Sequence, residues 1–127
     1  MSTFTRDNTE IAFKEDGVGQ QNRAEDGGMI IALEQWKAGL DTAEMFADLP
    51  DGACQEPHWG YVLKGSCTVR YNDGGSETLS AGEAYYIRPG HNAHVDADAE
   101  FVEFTLADQT PGINTVELEM SGQRQGA

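Results

Sequence analysis

The chain has 127 residues, 39% of them hydrophobic, and sets 22 acidic against 8 basic side chains for a net charge of −14. That size and apolar content suit one globular core, while so negative a surface repels phosphate, which excludes nucleic acid and anionic lipid as expected partners. No apolar run approaches the length of a membrane span, and Met1-Ser2-Thr3-Phe4-Thr5-Arg6-Asp7 lacks the apolar stretch of a secretion signal, so the expected location is cytoplasmic.

Residues 1–28 are polar and read as an N-terminal arm or short strands around Phe4 and Ile11-Ala12-Phe13. Glu15-Asp16-Gly17 and Glu25-Asp26-Gly27-Gly28 are their turns. Met29 to Trp36 opens with apolar, β-branched residues and predicts a strand. Leu40 to Phe46 fits a short strand or a helical turn, and Asp48 to Gly52 is a loop. His58 to Leu63 predicts a strand, Lys64-Gly65 a tight turn, and Ser66 to Tyr71 a returning strand. Asn72-Asp73-Gly74-Gly75 supplies residues that tolerate positive φ and predicts a hairpin turn to Glu77-Thr78-Leu79. Glu83 to Arg88 makes another strand, stopped by Pro89-Gly90. Asp96 and Asp98 fall in a polar loop, Ala99 to Leu106 and Ile113 to Met120 are two further strands, and residues 121–127 form a flexible tail. Short strands punctuated by Gly and Pro, without an amphipathic helix, predict an all-β sandwich or barrel.

Two stretches stand out. Cys54-Gln55-Glu56-Pro57-His58-Trp59-Gly60-Tyr61-Val62-Leu63-Lys64-Gly65 and Ala81 to His94 hold all three histidines and one of the two cysteines. With Gly82-Glu83 and Pro89-Gly90-His91, they resemble the motifs of the cupin superfamily, and specifically small bacterial single-domain cupins with a Cys-x-x-Pro-His-Trp-Gly-Tyr-Val-Leu-Lys-Gly signature. The resemblance spans about residues 29 to 106. It implies a double-stranded β-helix, or jelly-roll, barrel over 29–120, a small-molecule ligand, and a homodimer. It does not imply one reaction, since the fold serves many. The chain departs from the usual three-histidine, one-glutamate metal set. Counted back from Gly65, the family's glutamate falls on His58, its second histidine on Cys54 and its first on Gly52. The histidine of the second motif falls on Ala93, between His91 and His94.

Side chains alternate faces along a strand, so Cys54, Glu56 and His58 share one face if the strand reaches back that far. Cys54, His58, His91 and His94 are therefore the candidate metal ligands. A thiolate with imidazoles suits Zn, Cu or Fe(II), and three protein ligands leave a position open for water or substrate. Glu56, Tyr85, Tyr86 and Arg88 are candidate ligand-binding residues. Tyr85 and Ile87 share one face of their strand and Tyr86 and Arg88 the other, and an inward Arg88 would hold a carboxylate bidentately. Against each stands an ordinary role: histidine and cysteine as buried core residues, Glu56 and Arg88 as surface charges. Two functions follow. One is a transition-metal cupin of oxygenase- or isomerase-like chemistry on a small molecule. The other is a metal-free binding or sensing module. Metal-free catalysis by His58, His91 or a Cys54 nucleophile is a third route.

Overall fold

Seven strands organise residues 2–107, which the computed structural model describes: β1 (Glu10–Glu15), β2 (Gly19–Asp26), β3 (Met29–Trp36), β4 (His58–Tyr71), β5 (Ser76–Ser80), β6 (Ala84–Ile87) and β7 (His91–Leu106). The strand expected over Ile113 to Met120 and the expected tail lie outside the described residues. Every pairing is antiparallel, in the order β1-β2-β3-β7-β4-β5, with β6 also paired to β4. Side chains from β2, near one end of this order, and from β5, at the other, line one cavity. The sheet is therefore rolled on itself into an all-β jelly-roll barrel. Val62, Cys67, Val69, Tyr71, Leu79 and Ile87 form the apolar core on the β4–β5–β6 side.

Three elements differ from the sequence expectation. Lys64-Gly65 is not a hairpin turn. β4 runs through it, and both halves pair with β7 across register shifts between Val62 and Cys67. A two-residue type I′ turn needs positive φ at both central residues; here only Gly65 has it, at 75°, which yields a bulge. A Cβ at Gly65 would run into the Asp98 carbonyl, so the β7 backbone closes against it. The expected loop at Asp96 and Asp98 lies within β7: both face outward, Asp96 beside His94 and Asp98 beside Lys37. β2 is a full strand despite its polar sequence. It is held by ladders on both sides, and its Asn22 is 1% exposed and bonded to the carbonyls of Arg6 and Thr9. The Leu40 to Phe46 segment takes the helical-turn alternative, with Phe46 N–H on the Thr42 carbonyl (2.8 Å), and is tied to β7 by an Asp41–His94 bridge and by Thr42 Oγ1 on Asn92 Oδ1 (2.7 Å).

Candidate functional site

Pro57 has no N–H to give, and β4 starts only after it, at His58. The strand does not reach Cys54. Cys54 is placed instead by an isolated antiparallel bridge to His91: its N–H donates to the His91 carbonyl (2.9 Å), and its own carbonyl accepts from Gly90 N–H (2.8 Å) and His91 N–H (3.2 Å). His91 opens β7 immediately after the Pro89-Gly90 turn. Two separate strand starts and one bridge thus bring three soft donors together. One ligand atom each from Cys54, His58 and His91 lies within 4.8 Å of the others, and all three residues are buried.

A hydrogen bond fixes which nitrogen His91 presents. His91 Nδ1 donates to the Arg88 carbonyl (2.8 Å), because a carbonyl can only accept, so Nε2 keeps its lone pair. His58 sets Nδ1 against Thr105 Oγ1 (2.7 Å) and Nε2 against Cys54 Sγ (3.4 Å). The two imidazoles meet edge to face, with centroids 5.1 Å apart. Burial pushes the pKa of His58 down to about 4. His91 is likewise pushed down to about 4, by burial first and then by His58. Glu103 Oε2 is 3.7 Å from His58 Nδ1, but the imidazole is neutral near pH 7, so this is a polar contact and not an ion pair. Neutral imidazoles anchored through their far nitrogens are what a metal requires of histidine. The Cys54–His58 spacing fits too: metal–sulfur and metal–nitrogen bonds of about 2.3 and 2.0–2.1 Å at a tetrahedral angle put those two ligand atoms about 3.5 Å apart, against the 3.4 Å observed.

His58 and His91 border a cavity of about 120 Å³, walled by apolar and aromatic side chains that include Trp36, Phe46, Val69 and Phe101. Within the cavity stands a second polar group. Tyr85 donates to Glu103 Oε1 (2.8 Å), and Trp36 Nε1 donates to Glu34 Oε1 (2.8 Å). Burial, reinforced by Glu103, pushes Glu34 up to about 8, and burial also raises the Tyr85 phenol far above its ordinary value. Gly60 makes room for this group, since a Cβ there would collide with the Tyr85 hydroxyl and the Val102 carbonyl.

The architecture can now be set beside known structures. An RmlC-like cupin from Shewanella frigidimarina superposes with a TM-score of 0.60 at 15% identity, over 86% of this chain and 94% of that one. Oxalate decarboxylase from Bacillus subtilis gives 0.57 at 16% identity, over 80% of this chain. This chain has the cupin fold. It spans 28% of the oxalate decarboxylase chain. A protein of unknown function from Vibrio parahaemolyticus gives 0.57 at 15% identity, over 76% of this chain and 97% of that one. No protein-family model matches the sequence, and no curated protein matches it.

The cupin barrel distributes the other sequence candidates differently. His94 stands apart from the buried group: it is half exposed, and its Nδ1 contacts Asp96 Oδ1 at 2.9 Å. The alternation of β6 turns Tyr85 and Ile87 into the cavity and Tyr86 and Arg88 out. Tyr86 stacks on Trp59 with centroids 5.3 Å apart. Arg88 is not aimed inward; it pairs with Asp73 (2.9 Å) and lies over the Tyr71 ring. Glu56 is fully buried but is neither in the Cys/His/His group nor on the cavity wall. Glu34 and Glu103 were not singled out by the sequence. The one available signal was a carboxylate inside an otherwise apolar strand, as in Phe101-Val102-Glu103-Phe104.

Proposed function

We propose that this cupin binds a small molecule in its barrel beside a divalent transition metal held by Cys54, His58 and His91. The observation that carries the reading is the convergence of one thiol and two imidazoles within 4.8 Å, with His91 Nδ1 tied to the Arg88 carbonyl. A sulfur–nitrogen–nitrogen set favours zinc, copper or iron(II) over magnesium or calcium. The metal would supply a Lewis acid with an open position, the requirement of oxygenase- or isomerase-like chemistry. His58 and His91 supply neutral nitrogen, Cys54 the one anionic ligand, and the aromatic walls exclude water. Cys54 and Cys67 form no disulfide among the described residues.

Elemental analysis of protein purified without a histidine tag tests the centre. The expected result is close to one metal per chain, nearly all of it lost in His58→Ala and retained in His94→Ala. Metal far below one per chain and unchanged in His58→Ala sinks the proposal. The 3.4 Å Cys54–His58 contact also satisfies a thiol–imidazole hydrogen bond without metal, which favours a metal-free binding module as the second reading. That module predicts ligand-induced thermal stabilisation that survives chelator treatment.

Assembly as a homodimer belongs to the same proposal. Trp59, Tyr61 and Leu63 on β4 and Tyr86 on β6 are exposed together on the outer side of the barrel, the kind of apolar strip a second copy would cover. Light scattering should give about twice the 13.8 kDa chain mass, and Trp59→Glu should halve it. A wild-type monomer at micromolar concentration ends that part of the reading.

A further inference from the structure

The carboxyl group at Glu34 has no part in the metal centre. Glu34 is 7% exposed and sits on the wall of the same cavity. Its Oε1 is occupied by the Trp36 indole N–H, whereas its Oε2 has no hydrogen-bond partner among the described residues. An orphaned polar atom on a buried side chain carries a desolvation penalty that only a partner removes. Gln21, opposite on β2 and on the same cavity wall, is the weakest of the hydrogen-bonding influences on the Glu34 carboxyl, and it leaves Oε2 without a hydrogen bond. Glu34 lines the cavity, so a molecule bound there can supply the missing partner.

The chemistry of that partner is set by the surroundings. Burial and the neighbouring Glu103 charge keep Glu34 protonated at neutral pH, and with Oε1 accepting from Trp36, Oε2 is where the proton can point outward. Such an oxygen donates, so it selects an acceptor. No lysine or arginine lines the cavity among the described residues, and Glu103 adds negative charge, so an anionic acceptor is rejected. The walls around it are aromatic and aliphatic.

We propose that Glu34 orients the ligand by donating a hydrogen bond from Oε2 to the oxygen of a small, neutral, mostly apolar carbonyl compound. This deepens the reading of the barrel as a small-molecule site and does not depend on the metal. Trp36 is the positioning residue, locking the carboxyl so that the donor faces the cavity.

The test uses the full chain, as purified, with three probes of one shape: acetophenone, α-methylstyrene (which lacks the oxygen) and benzoate. Binding is read by protein-detected NMR titration at neutral pH, and metal per chain is measured in every sample. Wild type should bind acetophenone about five-fold more tightly than α-methylstyrene, the worth of one net hydrogen bond, and benzoate more weakly than either. In Glu34→Leu the ketone preference should fall to about one. Glu34→Gln, whose amide still donates, should keep part of it. Should Glu34→Leu fail to fold, Trp36→Phe keeps the ring packing and should lower the preference by releasing the carboxyl. An equal preference in wild type and in either disabling variant overturns the proposal. So does tighter binding of benzoate, or no binding of acetophenone by wild type. Loss of metal with the preference intact sinks only the metal centre, and metal present without the preference sinks only the role of Glu34.

Discussion

The two polar regions of the barrel are built from opposite chemistry and governed by one physical effect. Cys54, His58 and His91 offer soft donors; beside them, with Glu103 Oε2 3.7 Å from His58 Nδ1, Glu34, Glu103 and Tyr85 offer hydroxyl and carboxyl groups. Burial disfavours whichever form is charged. It therefore lowers the imidazoles to about 4 and raises Glu34 to about 8, and both moves leave a neutral group near pH 7. The difference lies in what neutrality makes available. A neutral imidazole offers a lone pair to a metal, while a neutral carboxyl offers a proton to an oxygen. One cavity can thus present an acceptor of cations and a donor to carbonyls within a single apolar wall.

The sharpest way to break this comparison is through Glu34 and pH. Its folded-state pKa is raised from 4.5 to about 8. The folded chain then keeps a proton that the unfolded chain releases above about 4.5. Stability from this group is full below that pH, declines as pH rises toward 8, and is level above it. The span of about 3.5 units corresponds to a change on the order of 5 kcal/mol. Charged groups facing Glu34 are Glu103 on β7 and Arg23 on β2; both remain in the variant and cancel in the difference. Urea unfolding at pH 5 and pH 8 should show wild type losing several kcal/mol more than Glu34→Gln across that interval. Parallel losses in the two proteins would mean that Glu34 is ionised when folded, and the contrast between the two groups would collapse.

How each group could be found from sequence differs for physical reasons. Histidine and cysteine are scarce in this chain, and His58 and Cys54 stand in a spaced motif that also carries turn and strand signals, so they announce themselves. β3, β5, β6, the two halves of β4 and the second half of β7 are legible as short strand-like runs between Gly and Pro turns, whereas the continuity of β4 through Gly65 and the first half of β7 are not. Glu34 and Glu103 are two among 22 acidic residues, and only their place within apolar strands separates them from surface charges. What selects them is register: Glu34 lies opposite Phe101, and Glu103 opposite both Ala32 and Gly60, and a one-residue slip would turn each outward. The bulge at Gly65 resets that register within β4, and no spacing rule in the sequence reveals it. His94 and Arg88 misled for the mirror-image reason: their chemistry is apt, but the parity of β7 and β6 puts them outside.

Gly60 sharpens the comparison at a smaller scale, because it serves only the carboxyl-bearing group. It sits on β4 opposite Tyr85 on one side and Glu103 on the other, and the Tyr85 hydroxyl crosses over it to reach Glu103 at 2.8 Å. A methyl group placed there meets that hydroxyl and the Val102 carbonyl. The backbone oxygen belongs to the β4–β7 ladder and yields little, so the ring must swing away and surrender its hydrogen bond. Gly60→Ala should therefore destabilise by about 1–3 kcal/mol through overpacking, measured as a lowered urea midpoint at unchanged slope. Tyr85→Phe, which forfeits the hydrogen bond without the clash, should cost about 1 kcal/mol. Metal per chain should be unchanged in both, since neither substitution touches Cys54, His58 or His91. A Gly60→Ala protein as stable as wild type would show that Tyr85 is not held over this strand, and the polar group would lose the contact that anchors Glu103. A Gly60→Ala protein that sheds its metal would instead show the two groups to be mechanically one site, joined through Glu103, which lies 3.7 Å from His58, and through the short stretch of β4 from His58 to Gly60.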